Sequence, residues 1–449
     1  MSSPYTSSQR RFNPWSQPAA ILSAGLQALT DSILHPVIML STIAYVLGGT
    51  TYEIGIFAVV AAVCWSLGRM VVGPLVHLAG GPIPIAAGGL ILRTGAVILI
   101  GFIGYRLGDI QNGNAIAGLI SCYVLYQLGS MTTAFTTNDH VGAAVAPTKR
   151  PWIFRLRAIV TAAAAMIAGI VVQSVFGASS LTFPQASRYL LLFAAISGVA
   201  ATWFLMQIPR RGRGDITGIG AHVGDNLAPL LQTPAIRRYL GFRTILGVST
   251  LADPFIIMFG LQRIGFGLRF VGLSLFFYAF FQLLGTITWP RWTRTLGGVR
   301  LLQFAAFLRL AFLMLALAIP ALAVSTFYTD RSGSQQLAAW AFAAAFALPG
   351  LSASIHNATN QRYLIDIAAS NNPHAAITIT NAILGIVAFA PLIGAGMINR
   401  YSLETTITIG GIFAFIAFIL SAVLVESRSK ARIHASSRGL IFRRRRALS

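Results

Sequence analysis

The sequence predicts an all-α integral membrane protein with twelve transmembrane helices in two pseudo-symmetric six-helix halves. Three observations carry that expectation: the composition, twelve long apolar runs, and an internal repeat. Of 449 residues, 55% are hydrophobic and only 10% charged, against about 25% charged in soluble domains. A soluble chain of this length needs far more polar surface to cover its core. The two cysteines, Cys64 and Cys122, both lie in apolar runs, which excludes a disulfide scaffold, and the low polarity excludes a disordered chain.

A span needs about 20 largely apolar residues to cross the hydrocarbon of a bilayer. Such runs fall at 21–47, 52–78, 82–104, 112–136, 152–176 and 187–207, then at 238–260, 266–288, 299–323, 336–359, 374–397 and 404–425. Their length points to helices, because barrel strands need only about 10 alternating residues. The seventh run carries Arg243 and Asp253 and is the most polar. The residues before the first run lack a small-residue cleavage site, so no removable signal peptide is expected. The chain therefore divides into an N-tail (1–20), a first half (21–208), a polar central loop (209–236), a second half (237–426) and a basic C-tail (427–449).

Orientation follows from the basic residues. The formal charge is +22, which on a soluble fold raises the question of nucleic acid. Here the cations cluster at the ends of the apolar runs: of 33 Lys and Arg, 24 fall on the side of the two termini and six on the other. By the positive-inside rule both termini are cytoplasmic, in the inner or plasma membrane. The C-tail arginines are expected to rest on anionic lipid headgroups, each contributing about 1 kcal/mol.

The two halves overlay. Gly55, Gly68 and Gly80–Gly81 precede Gly272, Gly285 and Gly297–Gly298 by 217 residues. With one-residue gaps, His35–Pro36 meets Asp253–Pro254, Leu92–Arg93 meets Leu308–Arg309, Gly129 meets Gly350, and Asn138 meets Asn360. Two parallel six-helix repeats imply a transporter body with its site between the halves at mid-membrane.

The segment after span 2 reads Gly73-Pro-Leu-Val-His77-Leu-Ala-Gly80-Gly81, and its counterpart after span 8 reads Trp289-Pro-Arg-Trp-Thr-Arg294-Thr-Leu-Gly297-Gly298. Over residues 20–426 the chain resembles the major facilitator superfamily, whose Gly-x-Leu-Ala-Asp-Arg-x-Gly-Arg loop falls at these positions. The basic start of span 5, Lys149 to Arg157, and Tyr363-Leu-Ile-Asp-Ile-Ala-Ala before span 11 are similar to uncharacterised bacterial members. The resemblance implies cytoplasmic gate loops at Gly73, His77, Gly80, Arg294 and Gly297, and a cavity lined by spans 1, 4, 7 and 10. The chain departs from the family in three ways. The loop acid is His77 in one half and Arg294 in the other. No Arg stands in span 4, where Leu125 precedes Gly129. Span 5 lacks the Gly-Pro motif of drug/proton antiporters.

An ionisable residue at mid-membrane costs about 2.5–3.5 kcal/mol on insertion scales and calls for a partner or a watery cavity. Span 1 carries Gln27, Asp31 and His35 on one face, and span 7 carries Ser249, Thr250 and Asp253. Asp31, His35 and Asp253 either bind substrate or carry a proton, or else form satisfied interhelical hydrogen bonds of about 0.6–2 kcal/mol each. Arg93 and Arg309 fall near the middle of spans 3 and 9. Each is read as a buried ion pair with the Asp of its own half, with a substrate-anion clamp as the alternative. Further cavity candidates are Gln127, Tyr278, Gln282, His356, Asn357 and Asn381. Asn138, Asp139 and His140 read as gate or helix-end contacts. Pro254, Pro349 and Pro391 are expected to let helices bend.

No P-loop and no paired-Cys or His-Glu-x-x-His metal motif occurs, so ATP hydrolysis by that route, a metal and a cofactor are not expected. The reading is a monomeric secondary transporter of a small organic solute working by alternating access, with H+ as a candidate coupling ion and Asp31 its first-choice carrier. It is expected to be neither an enzyme nor a nucleic-acid binder. Its rivals are a non-transporting protein of the same fold, serving assembly or lipid handling, and a membrane-embedded acyltransferase with His35 or His356 as base. The repeat speaks against the enzyme.

Overall fold

The computed structural model describes residues 15–79, 82–145, 148–208, 232–325, 334–368 and 373–424. Twelve helices are long and apolar enough to cross a membrane. Spans 1 to 6 are Ser16–Val46, Thr51–Gly68, Ile83–Tyr105, Asn112–Ala134, Arg150–Gly177 and Phe183–Met206. Spans 7 to 12 are Pro234–Arg263, Arg269–Trp289, Gly298–Ala323, Gln335–Ile367, Ala376–Arg400 and Leu403–Ser421. No sheet occurs among the described residues. Residues 1–14 of the N-tail, most of the central loop and the basic C-tail lie outside the described residues, as does Gly80.

The helices pack in a pattern that repeats with a shift of six. In the first half spans 1–5, 1–6, 2–4, 3–4 and 3–6 are in contact, and in the second half 7–11, 7–12, 8–10, 9–10 and 9–12. The main seams between the halves, 5–8 and 2–11, exchange under the same shift. This is the two-fold pseudo-symmetry of parallel repeats. The bundle is inside-out relative to a soluble protein: Ile91, Phe102, Ile196, Trp203, Phe415 and Ile419 are exposed on it, whereas Asp31, Arg93, Asp253 and Arg309 border interior hollows, as hydrocarbon demands.

Several spans that read as continuous runs are broken. Span 1 is helical over Ser16–Ile33, breaks at Leu34–His35, passes through a wide π turn at Pro36–Leu40 and resumes at Ser41–Val46. The break follows from Pro36, which has no N–H and disfavours helical backbone at the residue before it. Ser41 Oγ donates to the Pro36 carbonyl at 2.6 Å, a side-chain bond within the wide turn. Span 7 breaks at the matched position, with a 3-10 turn at Ser249–Ala252 between Pro234–Val248 and Asp253–Arg263. There Asp253 N–H bonds to the Thr250 carbonyl instead of reaching Ser249, and the freed Ser249 carbonyl accepts from Arg309 Nη2 at 2.6 Å. Spans 10 and 11 are interrupted at Phe346 and at Ala388–Phe389, close to Pro349 and Pro391.

The seams close where backbones meet. Span 5 crosses span 8 at Gly169 and Gly272: a Cβ on Gly169 would lie 2.6 Å from Phe276 N, and one on Gly272 would collide with the Gln173 backbone. Across the other seam a Cβ on Gly55 would come within 3.2 Å of the Pro391 carbonyl oxygen, and Thr51 Oγ1 donates to Asn399 Oδ1 at 2.8 Å. These contacts lie toward the end of the bundle that carries the loops after spans 1, 5, 7 and 11. Toward the end carrying both termini, Ala158–Ala165 of span 5 and Leu275–Thr286 of span 8 border a cavity.

Candidate functional site

Two hollows lie between the halves and a third adjoins them within the first half. One of about 630 Å³ is walled largely by the second half and takes in His35, Asp253, Tyr278, Arg309, His356 and Asn381. A second of about 760 Å³ runs along the seam, past Asp31, His35, Gln127, Tyr278, Gln282 and Asn357. A third of about 220 Å³ lies inside the first half and takes in Gln27, Asp31, Arg93 and Arg157. Trp65 borders all three.

In the first half Asp31 is held by neutral partners. Tyr126 Oη donates to Asp31 Oδ1 at 2.5 Å, and Gln27 Nε2 sits 3.0 Å from the same oxygen and 2.8 Å from Tyr126 Oη. Gln27 Oε1 is buried with no hydrogen-bond partner. Arg93 lies against spans 4 and 6, donating through Nη1 to Thr133 Oγ1 at 3.4 Å and through Nη2 to Thr202 Oγ1 at 3.5 Å. Arg93 and Asp31 share the smallest hollow without forming a direct ion pair among the described residues.

The second half solves the same problem differently. Arg309 Nη2 reaches Asp253 Oδ1 at 2.5 Å, and Nε donates to Ser249 Oγ at 3.1 Å. This guanidinium is thus engaged by one residue's backbone, one hydroxyl and one carboxylate, all on the break in span 7. The two halves match in sequence at Arg93 and Arg309 but diverge in their bonding, because Tyr126 and Gln27 occupy the carboxylate in one and Ser249 draws the arginine to it in the other.

The two histidines carry opposite faces to the cavity. His35 Nδ1 accepts from Ile38 N–H at 3.3 Å, which puts its proton on Nε2. His356 Nδ1 lies 2.8 Å from the Ser352 carbonyl, so Nδ1 carries the proton and Nε2 is an acceptor. The His35 ring stands edge-on to Tyr278 at a centroid distance of 5.3 Å, a contact from span 1 to span 8. Gln127 Nε2 donates to Tyr123 Oη at 2.6 Å and Thr250 Oγ1 to the Gly247 carbonyl at 2.7 Å.

The sequence-named gate positions that are described fall at helix ends. Gly73 and His77 fall within the helix Thr51–Leu78 and Arg294 within Arg269–Leu296, so both segments are largely helical and only their ends turn. Gly297 makes the second turn with φ 89°, a backbone conformation that favours glycine. Asn138, Asp139 and His140 lie on the end of the helix Asn112–Ala144.

Sequence reasoning missed four wall residues. The charge count places Arg157 and Arg243 with the cations on the side of the termini, yet the helices of spans 5 and 7 begin at Arg150 and Pro234, and both arginines line cavity walls. Tyr126 carries a legible signal in the hydroxyl stripe Tyr126–Ser130–Thr133–Thr137, spaced 4, 3 and 4 residues apart, which is one helix face. Trp65 has no such signal in an apolar span.

No family model and no curated protein matches the chain. Solved structures do. The nucleoside transporter NupG superposes with a TM-score of 0.62 at 13% identity, covering 92% of this chain and 99% of that one. A POT family transporter in complex with 5-aminolevulinic acid gives 0.62 at 12%, over 91% and 95%. A D-xylose–proton symporter gives 0.61 at 12%, over 92% and 97%. The chain has the twelve-span fold of these transporters.

Proposed function

We propose that the chain is a member of the major facilitator superfamily and a secondary transporter of a small organic solute, working by alternating access. The observation that carries this reading is a cavity at the seam of two matched halves, lined by polar side chains from both, with the 5–8 backbone crossing close toward one end of the bundle and a hollow bordering the same seam toward the other. Rocking about the 5–8 and 2–11 seams exposes such a cavity to either side in turn, and the breaks in spans 1 and 7 put flexible backbone beside it. Asp31, His35, Asp253, Tyr278, His356, Asn357 and Asn381 are the residues assigned to solute contact, with Gln127, Thr250 and Gln282 shaping the walls. The excess of Lys and Arg on the side of the termini supports a cytoplasmic placement of both, and hence a cavity open to the cytoplasm. The basic C-tail is read as a lipid-binding segment and the active unit as one chain. The solved structures named above are transporters, and the described wall residues form no nucleophile–base–orienter array, so no catalytic step is assigned.

The test is solute flux in proteoliposomes containing the full chain. Saturable uptake or counterflow of one solute class above protein-free vesicles supports transport. Ligand binding without flux across a broad metabolite panel identifies the non-transporting alternative instead.

A further inference from the structure

The central hollows are walled by four guanidinium groups, Arg93, Arg157, Arg243 and Arg309, and by two carboxylates, Asp31 and Asp253. Both histidines use one ring nitrogen on the backbone in a way that suits the neutral ring. Arginine keeps its proton in any protein environment, so the walls carry an excess of positive charge. Two arginines are accounted for: Arg309 is bound to Asp253 and Ser249, and Arg157 is engaged by neighbours of its own.

Arg93 is different. It is 6% exposed, and its only hydrogen bonds go to two threonine hydroxyls at 3.4 and 3.5 Å, beyond the usual 2.7–3.2 Å range for N–H···O. Five N–H groups in a fixed fork are thus met by two weak neutral acceptors, in a hollow that also holds Ser130, Thr137 and Thr161. Across the seam, Arg243 lines the larger hollow and its Nε is buried with no partner. Asp31 lies in the same hollow as Arg93 but makes no direct ion pair with it; a buried guanidinium with no anion in contact is costly, and a carboxylate or phosphate group satisfies it in a bidentate fork.

We infer that the transported solute is a small organic anion whose carboxylate or phosphate group docks on Arg93 in the 220 Å³ hollow, while its remainder extends into the seam cavity toward Arg243. This rests on the transport reading and names its substrate class. Asp31 borders the same hollow, held by Tyr126 and Gln27, and sets a lower limit on the distance at which a second negative group is tolerated. A cationic solute meets repulsion from three arginines not bound to Asp253, and a neutral one leaves Arg93 unsatisfied.

The experiment is thermal melting of the purified full chain at constant ionic strength. The probes are succinate, citrate, glycerol 3-phosphate and inorganic phosphate, with glucose, uridine and tetraphenylphosphonium as neutral and cationic comparisons and potassium chloride as the control. Ligand binding raises the melting temperature by mass action. The expected result is a concentration-dependent rise with an organic anion above the chloride control. Arg93→Lys, which keeps the charge and loses the fork, should weaken that apparent affinity at least tenfold. Arg243→Gln, at a less buried position, gives an independent reading if Arg93→Lys fails to fold, and should weaken it several-fold. The inference is overturned if no organic anion exceeds chloride, if inorganic phosphate alone matches the best of them, if a neutral or cationic probe is the one that stabilises, or if affinity is unchanged in both variants. Proteoliposome flux separates the two claims: flux of a neutral solute sinks the anion and keeps the transporter, whereas anion binding without flux does the reverse.

Discussion

Removing either member of the Asp253–Arg309 pair should destabilise the second half more than removing both. The side chains are 20% and 9% exposed and meet at 2.5 Å. With charge centres about 4 Å apart and an effective dielectric near 20, their attraction is about 4 kcal/mol. Asp253 borders a cavity, so water screens part of this, and a coupling of about 2–3 kcal/mol is expected, below the 3–5 kcal/mol for stranding a fully buried charge. Asp253→Asn leaves Arg309 with its bonds to Ser249 but without a counter-ion. Arg309→Met frees the Ser249 carbonyl at the break in span 7 and strands the carboxylate. The double variant strands no charge. A double-mutant cycle on the purified protein, unfolded in mixed detergent micelles and followed by tryptophan fluorescence, measures the coupling directly. Additivity within about 0.5 kcal/mol would show that the pair is not an energetic unit.

Other perturbations discriminate between parts of the structure. Tyr126→Phe removes the hydroxyl that Asp31 accepts from, and should cost about 1.5–3 kcal/mol because the acceptor is charged; an unchanged melting curve contradicts the assigned bond. Glu404→Gln breaks the Arg263–Glu404 contact, whose side chains are 56% and 37% exposed, and should change stability by less than about 1 kcal/mol, as surface pairs do. Gly272→Val places side-chain atoms against the Gln173 backbone and should force the 5–8 seam apart. A cysteine at Asn357, a position that borders the hollows, should then react with an impermeant maleimide from the side opposite the termini; in the parent it should react only from the terminal side. Cys64 and Cys122 are buried and give little background.

The parts of the fold set by composition are readable from the chain, because burial in lipid demands long apolar runs regardless of tertiary detail. All twelve spans follow from that requirement. The breaks do not, since Pro36 and Pro254 signal a disturbance without saying whether it becomes a π turn or a 3-10 turn; in span 7 the Ser249 carbonyl that the turn frees is met by Arg309, a residue of another span. The site is legible where a charged residue stands alone in an apolar run, as Asp31, Asp253, Arg93 and Arg309 do. It is illegible where bonding depends on rotation about the helix axis. Equal spacing suggested equal Asp–Arg pairs, yet one carboxylate meets an arginine and the other a tyrosine. Arg157 and Arg243 were hidden for another reason: at the end of an apolar run a cation that faces lipid headgroups and one that faces an inner cavity have the same sequence.

That last ambiguity bears on the solute. In the matched breaks, the second part of span 7 starts at Asp253 and the wide turn of span 1 accepts at His35, so backbone N–H groups of Ile38 and of the Asp253–Arg263 helix start beside the cavity. Helix starts carry partial positive charge and favour an anion. In span 7 the protein supplies its own, Asp253, and then holds Arg309 to balance it. In span 1 the capping group is a histidine, which brings no negative charge, and the nearest carboxylate is already held by Tyr126. Each half contributes two arginines and one aspartate to the walls, so the halves differ in contact and not in charge count: in the second the carboxylate meets an arginine directly, whereas in the first Arg93 bonds to threonine hydroxyls. Replacing His35 by Asp should move the first half toward the arrangement of the second, supplying an internal anion beside the same cavity. The expected outcome is a protein that folds and melts at least as high as the parent, yet responds less to organic anions in the melting assay. A variant that binds those anions as well as the parent would show that the charge imbalance of the walls does not select the solute.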